Sequence, residues 1–449
     1  MTRLFLGRLL DVPRDPFASW TRDESRLARP GDDALRIVED GALAVEDGRI
    51  VDAGPAVEVR ARHPGAEVAA SGGWWLPGLV DAHVHYPQLA VLGVMGLRLL
   101  DWLRDRTWPH EARFSDPSFA RAEAETFLAA LARAGTTTAM VFGAHQRVAM
   151  DAFFAAAEAS GLRITAGLVL GDRELPPALR SDPERALTES RELIERWHGR
   201  GRLRYAVTPR FAVSAGDAML AACGELLRDG PDDLWFTTHL NETPEEIAYV
   251  RGAFAGARDY LDVYDRHGLI GARSVLAHDV HPSDAELVRL AETRAVVCHC
   301  PGSNHFIGSG LFPMARHLDA GVRMALGTDV GGGPGFSLLR EARLAYETQM
   351  LRGDDGVRMG PARALWLATG AGAEALGLAD LVGDLTPGKR ADLAWIAPRS
   401  GTTLAERLAR ATDPVDAAGA LIALASEADV AGAWVDGQRV HARGDLTAA

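Results

Sequence analysis

Cysteine is scarce in this 449-residue chain: three residues, too few for a disulfide framework at this size, which makes a reducing compartment the natural home. Blocks of lysine and arginine are missing as well. With 48 basic against 61 acidic side chains the formal charge is −13, which speaks against a surface for nucleic acid or anionic membrane. No uncharged apolar run approaches the roughly 18 residues of a membrane span. The apolar start Met1–Leu10 is too short and too interrupted for a secretory signal. These absences predict a soluble, cytoplasmic protein with neither membrane nor nucleic acid among its partners.

Several catalytic signatures are also lacking. His110-Glu111 is followed by Ala112-Arg113-Phe114, so there is no HExxH, and the HxE…PCxxC signature of cytidine-type deaminases does not occur. Gly383–Lys389 resembles a phosphate loop, yet Arg390 stands where a Ser or Thr would hold Mg²⁺. Cys298-His299-Cys300 alternates faces on a strand and has no second Cys pair, so it is read as structural.

What is present is a core. The chain is 47% hydrophobic, which suits a globular interior. At roughly 150 residues per domain the length allows two or three units, or one large barrel with an appended piece. The first 75 residues read as short strands, with Asp47-Gly48 as a hairpin turn between Ala42–Glu46 and Arg49–Asp52. The charged loop Pro13–Pro30 is left unassigned.

From Trp74 onward, strand-length apolar runs alternate with longer stretches of helical period. The runs are Leu76–His85, Thr136–Phe142, Arg163–Leu170, Leu203–Phe211, Leu234–Leu240, Ser274–Val280, Arg294–Cys300 and Met324–Asp329. Apolar runs this continuous are what burial on both faces produces. Eight βα units predict an α/β fold, a (β/α)8 TIM barrel, with a doubly wound sheet as the alternative. After residue 380 strand language returns in Ala391–Ile396, Gly432–Val435 and Arg439-Val440. The expected organisation is 1–75 and 381–449 pairing as a small β-sandwich, and 76–380 as the barrel.

The chemistry clusters at the carboxyl ends of these runs. His83 and His85 close the first, and residues two apart on a strand point the same way. His239 and Glu242 close the fifth, His278 the sixth and Asp329 the eighth. That end is where barrel enzymes build their sites. Histidine nitrogens and a carboxylate suit Zn²⁺ or Fe²⁺, with His83, His85, His239 and Asp329 as the ligand set. A metal so held leaves a position for water and lowers its pKa to about 7. His278 would orient that water, Asp329 would take its proton and Glu242 would carry a proton to the substrate.

The fourth run ends Thr208-Pro209-Arg210-Phe211, with no bridging carboxylate or lysine. A guanidinium there would repel a second cation, so one ion per chain is expected. Arg210 can present a planar fork to an edge bearing two acceptors, as Arg reads O6 and N7 of guanine. Gln88 offers both a donor and an acceptor. Phe211, on residue grounds alone, reads as core. The remaining histidines, His145 among them, read as ordinary.

These residues carry a resemblance. Pro77–Gln88 (PGLVDAHVHYPQ) resembles the opening motif of the amidohydrolase superfamily in the form found in guanine deaminases. The similarity continues through Leu99–Leu103, Thr107–Pro109, Gly135–Thr138, Thr208–Phe211, Thr238–Glu242, Cys300–Asn304, Gly308–Phe312, Gly327–Gly331 and Leu385–Asp392. It covers nearly the whole chain; HxH and GTD are general, whereas HYPQ with PRF is more specific.

The resemblance implies a mononuclear zinc enzyme, usually a homodimer, that hydrolyses guanine with water to xanthine and ammonia in purine catabolism. It implies metal ligation by His83, His85, His239 and Asp329. Substrate contacts fall to Gln88, Arg210, Phe211 and Glu242, with His278 beside the catalytic water. Asn241, Gly302 and Arg98 depart from the common pattern and leave room for altered preference. The alternatives are a deaminase of another fused heterocycle, such as a pterin or 8-oxoguanine, a C–N ring hydrolase of the same superfamily, or a metal-free barrel used as a scaffold.

Overall fold

The computed structural model describes residues 1–23 and 30–444. Residues 24–29 of the unassigned 13–30 loop, and 445–449 of the C-terminal segment, lie outside the described residues. The chain divides into two compact units: one from 1–81, 129–138 and 336–449, the other from 82–128 and 139–335.

In the first unit the two chain ends share one sheet. Its strands are β1 (Arg3–Asp11), β2 (Arg36–Glu46), β3 (Arg49–Pro55) and β4 (Glu67–Pro77), joined by β14 (Leu393–Ile396), β15 (Val430–Val435) and β16 (Gln438–Ala442). They lie in the order β16-β15-β14-β4-β1-β2-β3. In a flat sheet β15 and β1, three strands apart, would be separated by roughly 14 Å. Instead the rings of Phe5 and Trp434 meet at 5.6 Å, so the sheet is curled. Register shifts in the β1–β2, β1–β4 and β14–β15 ladders supply the bend.

Edge strand β3 then returns to the segment before β14, where Ile50 N donates to Lys389 O and Ala391 N to Gly48 O. The enclosed core is aromatic and aliphatic, with Phe5, Leu43, Ile50, Trp75, Leu393 and Trp434 all buried. This is the sandwich expected from the two strand-rich termini.

The second sheet follows the βα alternation. Its strands are β5 (Leu79–His85), β6 (Thr136–Phe142), β7 (Arg163–Gly167), β8 (Val169–Leu170), β9 (Leu203–Pro209), β10 (Trp235–Leu240), β11 (Ser274–His278), β12 (Val296–His299) and β13 (Arg323–Leu326). They run β13-β12-β11-β10-β9-β7-β6-β5, with the two-residue β8 pairing beside β9. The ladders from β9 to β13 are parallel.

Beyond β13 the chain meets β5: Asp329 N donates to His83 O at 2.9 Å and His85 N to Val330 O at 3.1 Å. Those two bonds bring the last strand back to the first, and the doubly wound alternative falls. The run Leu76–His85 is two strands rather than one, broken at Gly78, so that Leu76 serves the sandwich and Leu79 the barrel.

Candidate active site

β5 and β10 are buried along their whole length and carry His83, His85 and His239 toward their carboxyl ends. Three of the turns there are tight. Asn241, His278, Asp279 and Asp329 hold φ of 49°, 76°, 45° and 48°, the left-handed region that side chains other than Gly, Asn and Asp enter at a cost.

Four donor atoms converge at these exits. Nε2 of His85 lies 3.2 Å from Nε2 of His83, 3.2 Å from Nε2 of His239 and 3.2 Å from Oδ1 of Asp329. His83 Nε2 is likewise 3.2 Å from that oxygen. Protons cannot satisfy so many lone pairs at once. Ligands of a tetrahedral ion with bonds of about 2.0–2.1 Å are about 3.3 Å apart, so the donor set fits a single divalent cation.

The surroundings agree. His239 donates Nδ1–H to the backbone carbonyl of Arg210 at 2.7 Å, which leaves Nε2 as the lone pair facing the cluster. Phe142 packs its ring 4.7–4.9 Å from the rings of His83, His85 and His239 and keeps water from beneath them. Burial pushes all three imidazoles down, His85 to about 4, so they are neutral and able to ligate. Burial alone would raise Asp329, but its hydrogen bonds from His83 and His85 hold it well below the carboxylate range.

His278 joins at longer range, with Nε2 3.8 Å from Asp329 Oδ2 and 3.5 Å from Glu242 Oε2. Its Nδ1 is fixed by Asn304 Oδ1 at 3.0 Å. Asp329 therefore turns one oxygen to the histidine cluster and the other toward His278 and Glu242. Glu242 accepts a hydrogen bond from Ser309 Oγ at 3.0 Å. Burial pushes its carboxyl up to about 8, and the charge of Asp329 adds to the rise. Behind it Glu246 Oε2 accepts from the backbone N–H of Glu242 and Thr243, and closes a capping box with Thr243 at the start of the helix Pro244–Ala253. That bond anchors the loop carrying Glu242.

Beside the cluster lies a cavity walled by Leu99, Trp102, Leu103 and Ile307 and lined by Gln88, Arg210, Phe211, Glu242 and His278. Phe211, read as core from its sequence context, is both buried and part of this wall. All nine residues singled out from the sequence lie at or directly behind this cavity.

Sequence reading missed Glu111. Its two carboxylate oxygens accept from Nη1 of Arg210 at 3.1 and 3.0 Å, and Oε1 accepts from Nε2 of Gln88 at 3.0 Å. His145, dismissed as ordinary, brings Nε2 to 3.5 Å from Oε2. Burial would raise the Glu111 carboxyl, but Arg210, His145 and Gln88 together pull it far below the glutamate range. The fully buried guanidinium was itself the signal, since a buried charge demands a partner. Glu111 balances part of the charge of Arg210, which still acts on His85 and Glu242. In Cys298-His299-Cys300, all buried, the His299 ring stacks on Phe312 at 4.2 Å, away from the cluster.

Comparison with known proteins points one way. The pattern of the amidohydrolase family matches residues 74–440, and that of a bacterial imidazolonepropionase-like composite domain matches 41–66. A probable guanine deaminase of Deinococcus radiodurans is 53% identical over 98% of this chain and 99% of its own length. The guanine deaminase of Escherichia coli is 38% identical over 91% of this chain and 93% of its own. The crystal structure of guanine deaminase from Bradyrhizobium japonicum superposes with a TM-score of 0.92 at 33% identity, covering 99% of this chain and 100% of that one.

Proposed function

The chain belongs to the amidohydrolase family, within its guanine deaminase branch, and from that membership we propose that it hydrolyses guanine to xanthine and ammonia with one zinc ion per chain. Fe²⁺ is the alternative metal. The proposal extends to a homodimer working in cytoplasmic purine catabolism, with the barrel bounded at 76–380. Among the described residues no helix is long and apolar enough to cross a membrane. The observation that carries the chemistry is the set of four donor atoms at 3.2 Å with Glu242 and Arg210 beside the same cavity.

His83, His85, His239 and Asp329 would hold the ion, and when bound it supplies a water acidified to about pKa 7. The rest is done by the chain. Arg210 meets the acceptor edge of the purine, Gln88 accepts beside it, and Phe211 covers a face. His278 orients the water through its fixed Nε2. Asp329 takes the proton that the water gives up as its oxygen bonds to C2. Glu242, kept protonated by burial, delivers a proton to the neighbouring ring nitrogen. The C2–N bond then breaks, and the amino group leaves as ammonia with a proton returned through Asp329 and Glu242.

Ammonia release from guanine, 8-oxoguanine, pterins, adenine and cytosine tests this reading. Guanine is expected to lead the panel; a pterin or 8-oxoguanine in its place would overturn the substrate assignment. Glu242→Gln is expected to lower kcat by about 10³-fold with metal content near one per chain unchanged. Two metals per chain, or full activity in that variant, would refute the site.

A further inference from the structure

Arg210 and Gln88 are read above as the groups that meet the purine, yet neither is free to choose its pose. Arg210 Nη1 is committed to both oxygens of Glu111, at 3.1 and 3.0 Å. Gln88 Nε2 donates to the same carboxylate at 3.0 Å, and its Oε1 accepts the backbone N–H of Gly331 at 3.3 Å. With Nη1 spent, the donors Arg210 can turn on a ligand are Nη2 and Nε. The other N–H of Nε2 lies against Nδ1 of His85 at 3.3 Å, which leaves Gln88 as an acceptor through its remaining lone pair. One buried carboxylate thus fixes which donors and which acceptor face the cavity.

We propose that Glu111 is a positioning residue that sets substrate specificity: by holding Arg210 and Gln88 together it aims the donors of Arg210 at O6 and N7 of guanine and keeps Gln88 beside them as an acceptor. It touches no reacting atom. The proposal rests on the guanine-deaminating reading and deepens it. Glutamine at 111 would set a second amide N–H₂ against that of Gln88 and would remove the charge that grips Arg210. The fork would then lose its aim while the donor cluster, built from other residues, stays whole.

The experiment compares guanine with 2-aminopurine, which lacks the six-position oxygen, as substrates of the zinc-loaded protein. In Glu111→Gln the ratio of kcat/KM for guanine over 2-aminopurine is expected to fall at least tenfold, mostly through the KM for guanine, with zinc content unchanged. A residue that only supported the fold would lower both substrates alike and leave the ratio unmoved.

Glu111→Asp keeps the charge but retracts it by about 1.5 Å, one carbon–carbon bond. It cannot serve both partners, so its ratio is expected to fall about threefold. A ratio unchanged in either folded variant overturns the proposal. So does failure of both variants to fold, since the carboxylate would then be structural. If the unaltered protein releases no ammonia from guanine, the functional reading fails instead, and that result is separate from the role of Glu111.

Discussion

Two buried carboxylates, one in each unit of this molecule, each bind an arginine, and they do so differently. In the sandwich, Asp11 meets Arg36 fork to fork: Nε donates to Oδ1 at 2.7 Å and Nη2 to Oδ2, while Leu385 N adds a further bond to Oδ2. In the barrel, Glu111 spends both oxygens on the single nitrogen Nη1 of Arg210. The first arrangement spends the Nε–Nη2 edge of the guanidinium on its carboxylate, whereas the second spends only Nη1. The second holds the arginine still and keeps part of it in hand. The difference separates an ion pair that stabilises a fold from one that equips a site.

The largest effect should come from separating grip from reach. Arg210→Lys keeps a charge for Glu111 but cannot also extend a second arm. Its kcat/KM for guanine is expected to fall roughly 100-fold with little change in melting temperature. A variant with near-normal turnover would erase the contrast. Next comes Arg36→Ala, which strands Asp11 with no exposed surface of its own. Since the Arg36 side chain is 36% exposed and water can replace part of it, the loss is expected to be about 2 kcal/mol, below the range for a fully buried pair. Chemical denaturation would measure it, and guanine turnover per folded molecule should stay the same.

Smallest is the pH response. Glu111 is held below its ordinary 4.5 and contributes fully above that value, so stability is lost as pH falls through it. Asp11 is raised above its ordinary 3.8 by burial, against the pull of Arg36, and so gains stability on acidification. Between pH 4.5 and about 3.5, Glu111→Gln is therefore expected to lose about 1 kcal/mol less than the unaltered protein. Asp11→Asn should lose more than the unaltered protein over the same interval. Equal slopes for all three proteins would show that the two pairs behave alike.

Much of this was legible in the sequence because strand burial and strand-end chemistry are both local patterns. Thr136–Phe142 is a strand with those bounds, and Ser274–Val280 overshoots β11 by two residues because the chain turns left-handed at His278. His83, His85, His239, His278 and Asp329 could be placed together because the barrel brings every strand end to one rim. Glu111 could not. It sits in the short helix Trp108–Glu111, off any strand, and meets a partner 99 positions away. Nothing in its neighbourhood carries a period. The curl of the terminal sheet was equally hidden, since only the packing of Phe5 on Trp434 reveals it.

The left-handed corners at Asn241, His278, Asp279 and Asp329 carry a last implication, for how sequences of this kind can drift. Only glycine, asparagine and aspartate rest in that backbone region cheaply, and for most other residues the toll is roughly 1–2 kcal/mol. Three of the four positions are filled from that short alphabet. His278 pays the toll, and so would nearly any residue that replaced it. Mutation can reshape the walls of the cavity freely, while these corners admit few spellings. Diversity bred into such a rim will collect between the corners and seldom on them.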